Sequence, residues 1–219
     1  MRLFLKDKIM EVNANQEMSI DRPLGPQIAR VSLSTELVEY LNSQMSDDLE
    51  DYSNNLVGKV KQELKFTKET TERVLKELFP YFTAYHTAHI PSDSRHPTLS
   101  VEIMSGWYVR QFEGEYNPLH VHTGCQISCV GYLALPDGIE KEFSDDLKDH
   151  HPANGQIEFA YGGATTSYTK GSVRVVPRVG DFYIFPSGLW HTVYPFKTPG
   201  ERRSFSMNVN VLIPPPTDQ

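Results

Sequence analysis

Short apolar or alternating segments, each closed by a turn residue, follow one another through the C-terminal half of the sequence. About eight of them lie between residues 99 and 213, with Gly, Pro, Asn or Asp at most of the breaks. A strand needs only four to eight residues, whereas a globular helix needs a longer run at helical spacing. Many short strands joined by such turns predict a mainly β sandwich or barrel.

The N-terminal half has a different period and predicts helices. Residues 35–45 carry an apolar stripe at helical spacing and begin at hydroxyl residues suited to an N-cap. A second helix is predicted over residues 67–78, and Pro80 should end or kink it because proline lacks an amide hydrogen. Residues 1–30 look irregular, apart from a strand predicted at 28–33.

We expect one domain over residues 1–219. The polar loop at 90–97, with two prolines, is the best internal boundary. It separates an N-terminal helical and irregular portion, residues 1–98, from a β core at 99–213. The chain is long enough to bury a substantial hydrophobic core as one unit.

Three histidines stand where strands of the β core are predicted. His120 and His122 are one residue apart, and residues i and i+2 of a strand point to the same face. His191 follows a Pro-Ser-Gly turn and would come from a distant strand. Three imidazoles that converge can bind Fe, Zn, Cu or Ni. The alternative is that they are ordinary surface or core histidines, since a His-x-His pair alone is a weak signal.

Arg202 and Ser204 share one face of the last predicted strand. Arginine suits a two-pronged hydrogen bond to a carboxylate, and a hydroxyl on the same face can add another. Arg203 would then point to solvent. Without the histidines, the simpler interpretation is that Arg202 is a charge at a strand edge. With them, three metal ligands and a carboxylate anchor suit a chelating 2-oxo acid.

These residues carry a family resemblance over roughly residues 100–212. The order and spacing of four segments resemble the prolyl-hydroxylase-like branch of the non-haem Fe(II)/2-oxoglutarate-dependent oxygenases, closest to a group of little-characterised bacterial and phage members. The segments are His120-Val121-His122, Cys129-Val130-Gly131-Tyr132-Leu133, Phe185-Pro186-Ser187-Gly188-Leu189-Trp190-His191 and the strand from Arg202 to Asn208.

The resemblance implies a fold, cofactors and site residues. The fold is a double-stranded β-helix, the cupin-like jelly roll, with the N-terminal helices packed on it. Fe(II) would bind the three histidines, and 2-oxoglutarate and O2 would be co-substrates. The distal carboxylate of 2-oxoglutarate would pair with Arg202, helped by Ser204 and Tyr132. Tyr132 can equally be a core tyrosine, and Asn117 either touches the co-substrate or shapes a turn.

One position departs from the common pattern. The usual metal motif of the superfamily is His-x-Asp or His-x-Glu with a distal histidine. His122 stands at the carboxylate position here. Either iron is held by three histidines, or a carboxylate from elsewhere in the chain completes the site.

The predicted activity is hydroxylation of a small-molecule or peptide substrate with conversion of 2-oxoglutarate to succinate. Two alternatives remain open from the residues. One is a cupin-type three-histidine dioxygenase that does not use 2-oxoglutarate, in which Arg202 anchors the substrate. The other is a non-catalytic jelly-roll binding module whose histidines hold a structural metal or none.

Composition limits the partners. The net charge is −7 with a pI of about 5.6, and no basic patch stands out, which argues against nucleic-acid binding. No signal-peptide core and no apolar run of transmembrane length occurs, so we expect a cytoplasmic protein without membrane contact. The two cysteines, Cys125 and Cys129, are too far apart on an extended strand for a disulfide. The oligomeric state is left open, with a homodimer as one option.

Overall fold

Two antiparallel sheets form most of the computed structural model, which describes residues 10–13, 16–21, 25–90, 99–143, 153–163 and 170–212. The strands are β1 Met10–Asn13, β2 Gln16–Asp21, β3 Ile28–Ser32, β4 Gln62–Lys65, β5 Ser100–Gln111, β6 Asn117–His120, β7 Ile127–Ala134, β8 Ile157–Ala160, β9 Ser172–Val175, β10 Asp181–Pro186, β11 Trp190–Val193 and β12 Arg202–Leu212.

The larger sheet has the order β1-β2-β3-β10-β7-β12-β5-β4, and the smaller one β6-β11-β8-β9. Strands that are distant in sequence lie side by side, as β12 does between β5 and β7. The mainly β class predicted from the short segments is confirmed. The smaller sheet packs its apolar side chains against the larger one, around Tyr132, Phe159 and Phe185.

Two helices cover the outer face of the larger sheet. Helix α1 spans Thr35–Gln44, and the side chain of Ser34 caps it by accepting a hydrogen bond from the amide of Leu37. Helix α2 spans Lys68–His89 and has its N-cap at Thr67. In the described part of the chain, no helix is long and apolar enough to cross a membrane.

Pro80 does not end the second helix, so that part of the prediction is wrong. Helix α2 runs on for nine residues beyond it, to His89. Tyr81, Phe82 and Tyr85 are buried in the main core. Burial of these aromatic side chains against the sheet outweighs the loss of one backbone hydrogen bond.

The N-terminal region also differs from its prediction. Residues 10–13 and 16–21 are strands that extend the larger sheet beyond β3, rather than irregular chain. The short strand β4 adds to the opposite edge. Both regions are short, and their pairing partners in the sheet cannot be deduced from the local sequence.

Gly131 marks the centre of the larger sheet. It lies on β7 beneath the stacked rings of Phe182 and Phe205, whose centroids are 5.6 Å apart. A Cβ at this position would come within 2.3 Å of the Phe205 ring and 3.1 Å of the Phe182 ring. The glycine therefore lets two aromatic side chains pack directly on the backbone of β7.

Candidate active site

His120 and His191 lie directly opposite each other where β6 pairs with β11. Their ring centroids are 4.2 Å apart, and the ring of His122 lies 5.1 Å from the first and 5.2 Å from the second. One nitrogen from each ring falls within 4.8 Å of the other two. The predicted trio thus converges and can hold one metal ion.

The reason given for the first pair was wrong, although the pair does converge. Strand β6 ends at His120, so His122 does not share a strand face with it. Instead, the chain turns, and the amide of His122 donates to the carbonyl of Ser187 at 2.9 Å. The ring of His122 lies nearly parallel to that of His191, at an angle of 7°.

Backbone carbonyls orient two of the three rings. Nδ1 of His120 lies 2.7 Å from the carbonyl oxygen of Pro118, and Nδ1 of His191 lies 2.8 Å from that of Leu189. A carbonyl only accepts, so each Nδ1 carries the proton and donates. The lone pair of each Nε2 is then free for a metal, and this pattern is usual around metal-binding histidines.

The electrostatic environment keeps all three imidazoles neutral at pH 7. Burial lowers the pKa of His120, and it lowers that of His122 to about 4, helped by repulsion from His120. The pKa of His191 falls to about 3, mainly through burial and then through the charge of His120. Neutral imidazole is the form that binds metals, so no proton must be removed first.

In the described chain, the cluster that can hold a metal consists of these histidines alone. No aspartate or glutamate of the described residues joins it. The donor set suits Fe(II), Zn(II) or another ion that accepts imidazole nitrogen. Three nitrogens leave further coordination positions for ligands that are not protein side chains.

Arg202 is buried in the same cavity, with 2% of its surface exposed. Its Nη1 donates to the carbonyl of Gly155 at 2.6 Å, and its Nη2 donates to the side chain of Gln111. Its Nε has no partner among the described residues, and no carboxylate there pairs with it. Burial lowers the pKa of this guanidinium, as expected for a cation without an anion.

Ser204 and Tyr132 stand beside Arg202. They are paired in register between β12 and β7, and both line the cavity. The ring of Tyr132 lies 6.0 Å from the guanidinium carbon, and its buried hydroxyl has no described hydrogen-bond partner. Burial raises the pKa of Tyr132 to about 12, so this hydroxyl keeps its proton and can donate it in a hydrogen bond.

Arg203 takes the opposite face of β12. Its guanidinium forms an ion pair with Glu201 at 3.0 Å, and Arg110 binds the same carboxylate. Strand parity therefore separates the two neighbouring arginines as the sequence predicted. Arg202 faces the cavity, and Arg203 belongs to a surface ion-pair network.

Asn117 lines the cavity on strand β6. Its carbonyl oxygen accepts from the Thr192 hydroxyl, which ties the strand pair together, and its buried Oδ1 has no described partner. This side-chain oxygen lies beside Gly58 and Glu63, two residues that were not predicted as part of the site.

One wall of the cavity consists of residues that were not predicted from the sequence. Residues 52, 55–58 and 63 line it, and the cavity measures about 210 Å³. The segment 62–66 alternates in a way that predicts a solvent-facing Glu63, yet this side chain is buried. Pairing of β4 with β5 turns it inward, and nothing in the local pattern reveals that pairing.

The two other histidines of the described chain do not join the metal cluster. His86 and His89 lie near the end of α2, beside a separate shallow pocket with Tyr85 and Ile127. His96, His150 and His151 lie outside the described residues.

Comparison with known proteins places the site in a family. A family model described as putative 2OG-Fe(II) oxygenase matches residues 105–208. That range contains all three histidines, Arg202 and the other residues predicted for the site. The match covers a little under half of the chain and indicates a 2-oxoglutarate- and Fe(II)-dependent oxygenase. No curated protein matches the chain in sequence.

Solved structures share the fold of this chain at low sequence identity. A prolyl-4-hydroxylase from Pseudomonas putida aligns with a TM-score of 0.53 and 15% identity, over 83% of this chain and 91% of that one. HygX from Streptomyces hygroscopicus, with nickel, 2-oxoglutarate and hygromycin B bound, gives 0.51 and 12%, over 88% and 82%. A 2OG-Fe(II) family oxidoreductase from Burkholderia pseudomallei gives 0.51 and 12%, over 80% and 78%.

These similarities confirm the jelly-roll fold and the prolyl-hydroxylase-like resemblance. Together with the family match, they also support Fe(II), 2-oxoglutarate and O2 as the cofactor and co-substrates. The family match begins at residue 105, so helices α1 and α2 and the wall around Glu63 lie outside it. That wall therefore belongs to this chain rather than to the matched family segment.

Proposed function

We propose that the protein hydroxylates a small-molecule or peptide substrate and converts 2-oxoglutarate to succinate and CO2. His120, His122 and His191 would hold Fe(II). Arg202 would hold the distal carboxylate of 2-oxoglutarate. One oxygen atom of O2 enters succinate and the other enters the hydroxylated product, so the reaction needs no further reductant.

The observation that carries the proposal is a buried arginine without a counter-ion in the same cavity as the histidines. Burial of an unpaired charge is costly unless something compensates it. Three of the five guanidinium protons remain after the bonds to Gly155 and Gln111. A carboxylate that arrives with the co-substrate would neutralise the cation and accept those protons.

Two neighbours of Arg202 add donors for the same carboxylate. The hydroxyls of Ser204 and Tyr132 lie on adjacent strands beside it, and that of Tyr132 lacks a partner among the described residues. We assign both to the co-substrate. Asn117 lies on the cavity wall beside Glu63, and its contact with the co-substrate stays a prediction.

The protein's own residues bind and orient the reactants. Bound iron with 2-oxoglutarate supplies the oxidising chemistry that activates O2. The carbonyls of Pro118 and Leu189 fix two of the imidazoles, which sets where the metal and hence the reacting centre lies. Phe159 and Phe185 pack against His191 and exclude water from that side.

The nature of the substrate is open within this class. HygX was crystallised with hygromycin B, which shows that a related fold accepts a small molecule. The cavity of about 210 Å³ has room for a small molecule or for one side chain of a peptide.

One experiment tests the proposal. Purified protein is loaded with Fe(II) and 2-oxoglutarate without O2, and the visible spectrum is recorded. A weak charge-transfer band is expected when both chelate at one open site. Air is then admitted, and uncoupled formation of succinate is measured.

The opposite results are equally informative. Metal binding without the band and without succinate would favour the three-histidine dioxygenase that does not use 2-oxoglutarate. Absence of metal binding would favour a non-catalytic module. His191→Ala is the matched control, because it should abolish band and succinate together.

A further inference from the structure

Glu63 is a buried acid in the cavity for which the proposed chemistry has no use. Only 2% of the residue is exposed, although it lies on β4 at the edge of the larger sheet. In register, Glu63 is opposite Val109 of β5, whose side chain also lines the cavity. Its carboxylate has no cationic partner among the described residues, and Oε2 accepts no hydrogen bond there.

The side chain of Asn117 meets this carboxylate next to Gly58. A Cβ built on Gly58 would lie 2.8 Å from Oε1 of Glu63, 2.9 Å from Oε2 and 2.9 Å from Oδ1 of Asn117. Three oxygens therefore converge beside a glycine, and any side chain at position 58 would collide with them. Two of the three are buried acceptors without a donor.

Such a set of acceptors costs stability unless a donor arrives. A buried acceptor that loses its water partner and gains none costs about 1–3 kcal/mol, and more when the group is charged. Two such unpaired acceptors at one point of a binding cavity indicate a ligand that donates several hydrogen bonds. An ammonium group has three, whereas a hydroxyl has one and leaves the second acceptor unpaired.

The surroundings also suit a cation. Tyr52 and Trp107 line the same wall, with ring centroids 5.9 Å apart, and aromatic faces attract organic cations. Burial and, to a smaller extent, the negative charge of Asp51 together raise the pKa of Glu63 to about 7. Arg202 lies on β12, two strands away from β4 in the same sheet, so the cavity has one end for an anion and one for a cation.

We propose that Glu63 and Asn117 form the substrate-recognition subsite of this cavity and bind a primary ammonium group of the substrate. The proposal rests on the proposed function, since it assigns the other end of the cavity to 2-oxoglutarate. The substrate class is then an amine-bearing small molecule or a lysine-like side chain. Gly58 keeps the space beside the two acceptors open.

The test uses two probes of similar shape, 1,4-diaminobutane and 1,4-butanediol, on the full-length protein without metal at pH 8. The carboxyl signal of Glu63 is followed by NMR in protein labelled with ¹³C at glutamate carboxyls, and Glu63→Gln assigns it. The diamine should shift this signal and lower the pKa of Glu63. The diol should leave the signal in place.

Variants then separate the subsite from general charge effects. Glu63→Gln and Gly58→Ala should each weaken diamine binding by about tenfold or more, because one loses the charged acceptor and the other fills the space. Glu50→Gln removes an exposed carboxylate and should bind as the parent does. Gly163→Ala adds a methyl group where no atom lies within 4 Å and should also bind as the parent does.

Three outcomes would overturn the proposal. Equal diamine binding by the parent and Glu63→Gln would show that the acid does not bind it. An equal response to the diol would show that a neutral hydroxyl suffices. An unresponsive carboxyl would mean that Glu63 shares its own proton with Asn117 and is structural. Succinate formation by the parent, measured separately, reports on the proposed function, so either idea can fail alone.

Discussion

His120 and His191 face each other across one antiparallel strand pair, with ring centroids 4.2 Å apart. Backbone hydrogen bonding between β6 and β11 thus sets the distance between two of the three candidate ligands. The third, His122, depends on a turn held by the carbonyl of Ser187. Metal binding should therefore tolerate substitution of His122 better than substitution of His120 or His191.

Removal of a strand-borne histidine should abolish tight metal binding. His120→Ala is expected to weaken Fe(II) binding by more than a factor of about 100. Loss of a residue that only hydrogen-bonds to a metal ligand already lowers metal affinity about 10–100-fold, and loss of a ligand should cost more. Anaerobic titration with Fe(II) measures the affinity. His86→Ala, outside the cluster, should bind one iron as the parent does, and one tightly bound iron in His120→Ala would refute the assignment.

An aspartate should partly replace the histidine at position 122, which lies on a turn. His122→Asp restores the common facial triad and adds a negative charge, but the shorter side chain must reach the metal from a turn. We expect retained iron with reduced succinate formation, measured side by side with the parent. Unchanged iron and activity in His122→Ala would show that position 122 is not a ligand. Complete loss of iron in His122→Asp would show that only imidazole fits this turn.

The two arginines of β12 offer a matched pair. Arg202→Lys should weaken 2-oxoglutarate binding about tenfold to a hundredfold, because lysine cannot present two parallel donors to a carboxylate. Arg203→Lys should have little effect, since its ion pair with Glu201 lies on the opposite face. Calorimetric titration with 2-oxoglutarate in the presence of Zn(II) measures both. Equal affinities in Arg202→Lys and the parent would rule out this anchor.

Patterns carried by the core strands could be read from the sequence. The alternation in β12 separated Arg202 from Arg203, and motif order brought His191 to the pair. Features that depend on strand pairing or packing with residues distant in the sequence could not be predicted. Glu63 turns inward because β4 pairs with β5, and α2 continues through Pro80 because its aromatic residues are buried. Local helix and strand propensities predict neither feature.

The hydroxyl of Tyr132 should matter for binding but not for folding. Because it is buried without a described partner, Tyr132→Phe removes an unsatisfied group and should leave the free energy of unfolding unchanged or slightly higher. Its 2-oxoglutarate affinity should fall several-fold. Tyr85→Phe is the contrasting control, since it loses a 2.8 Å bond to the carbonyl of Gln27 and should be destabilised by about 1 kcal/mol. Destabilisation of Tyr132→Phe without any loss of affinity would contradict the assignment.

Glu63 should make the ligand-free protein less stable as the pH rises. Burial, and to a smaller extent the charge of Asp51, raises the pKa of its carboxyl from 4.5 to about 7 in the folded state. The folded protein therefore keeps a proton that the unfolded chain has already released between these values, so stability is full below about pH 4.5 and is lost as the pH rises through 7. At 1.36 kcal/mol per pKa unit, the loss approaches about 3 kcal/mol.

Glu63→Gln isolates this contribution, because glutamine has nearly the same shape and is neutral at every pH. Urea unfolding at pH 4, 5, 6, 7 and 8 gives the free energies of unfolding. The variant and the parent should be similar at pH 4, and the variant should become the more stable of the two by pH 8. A difference that stays constant with pH would mean that Glu63 already has a compensating partner, and the acidic wall of the cavity would then be a structural feature only.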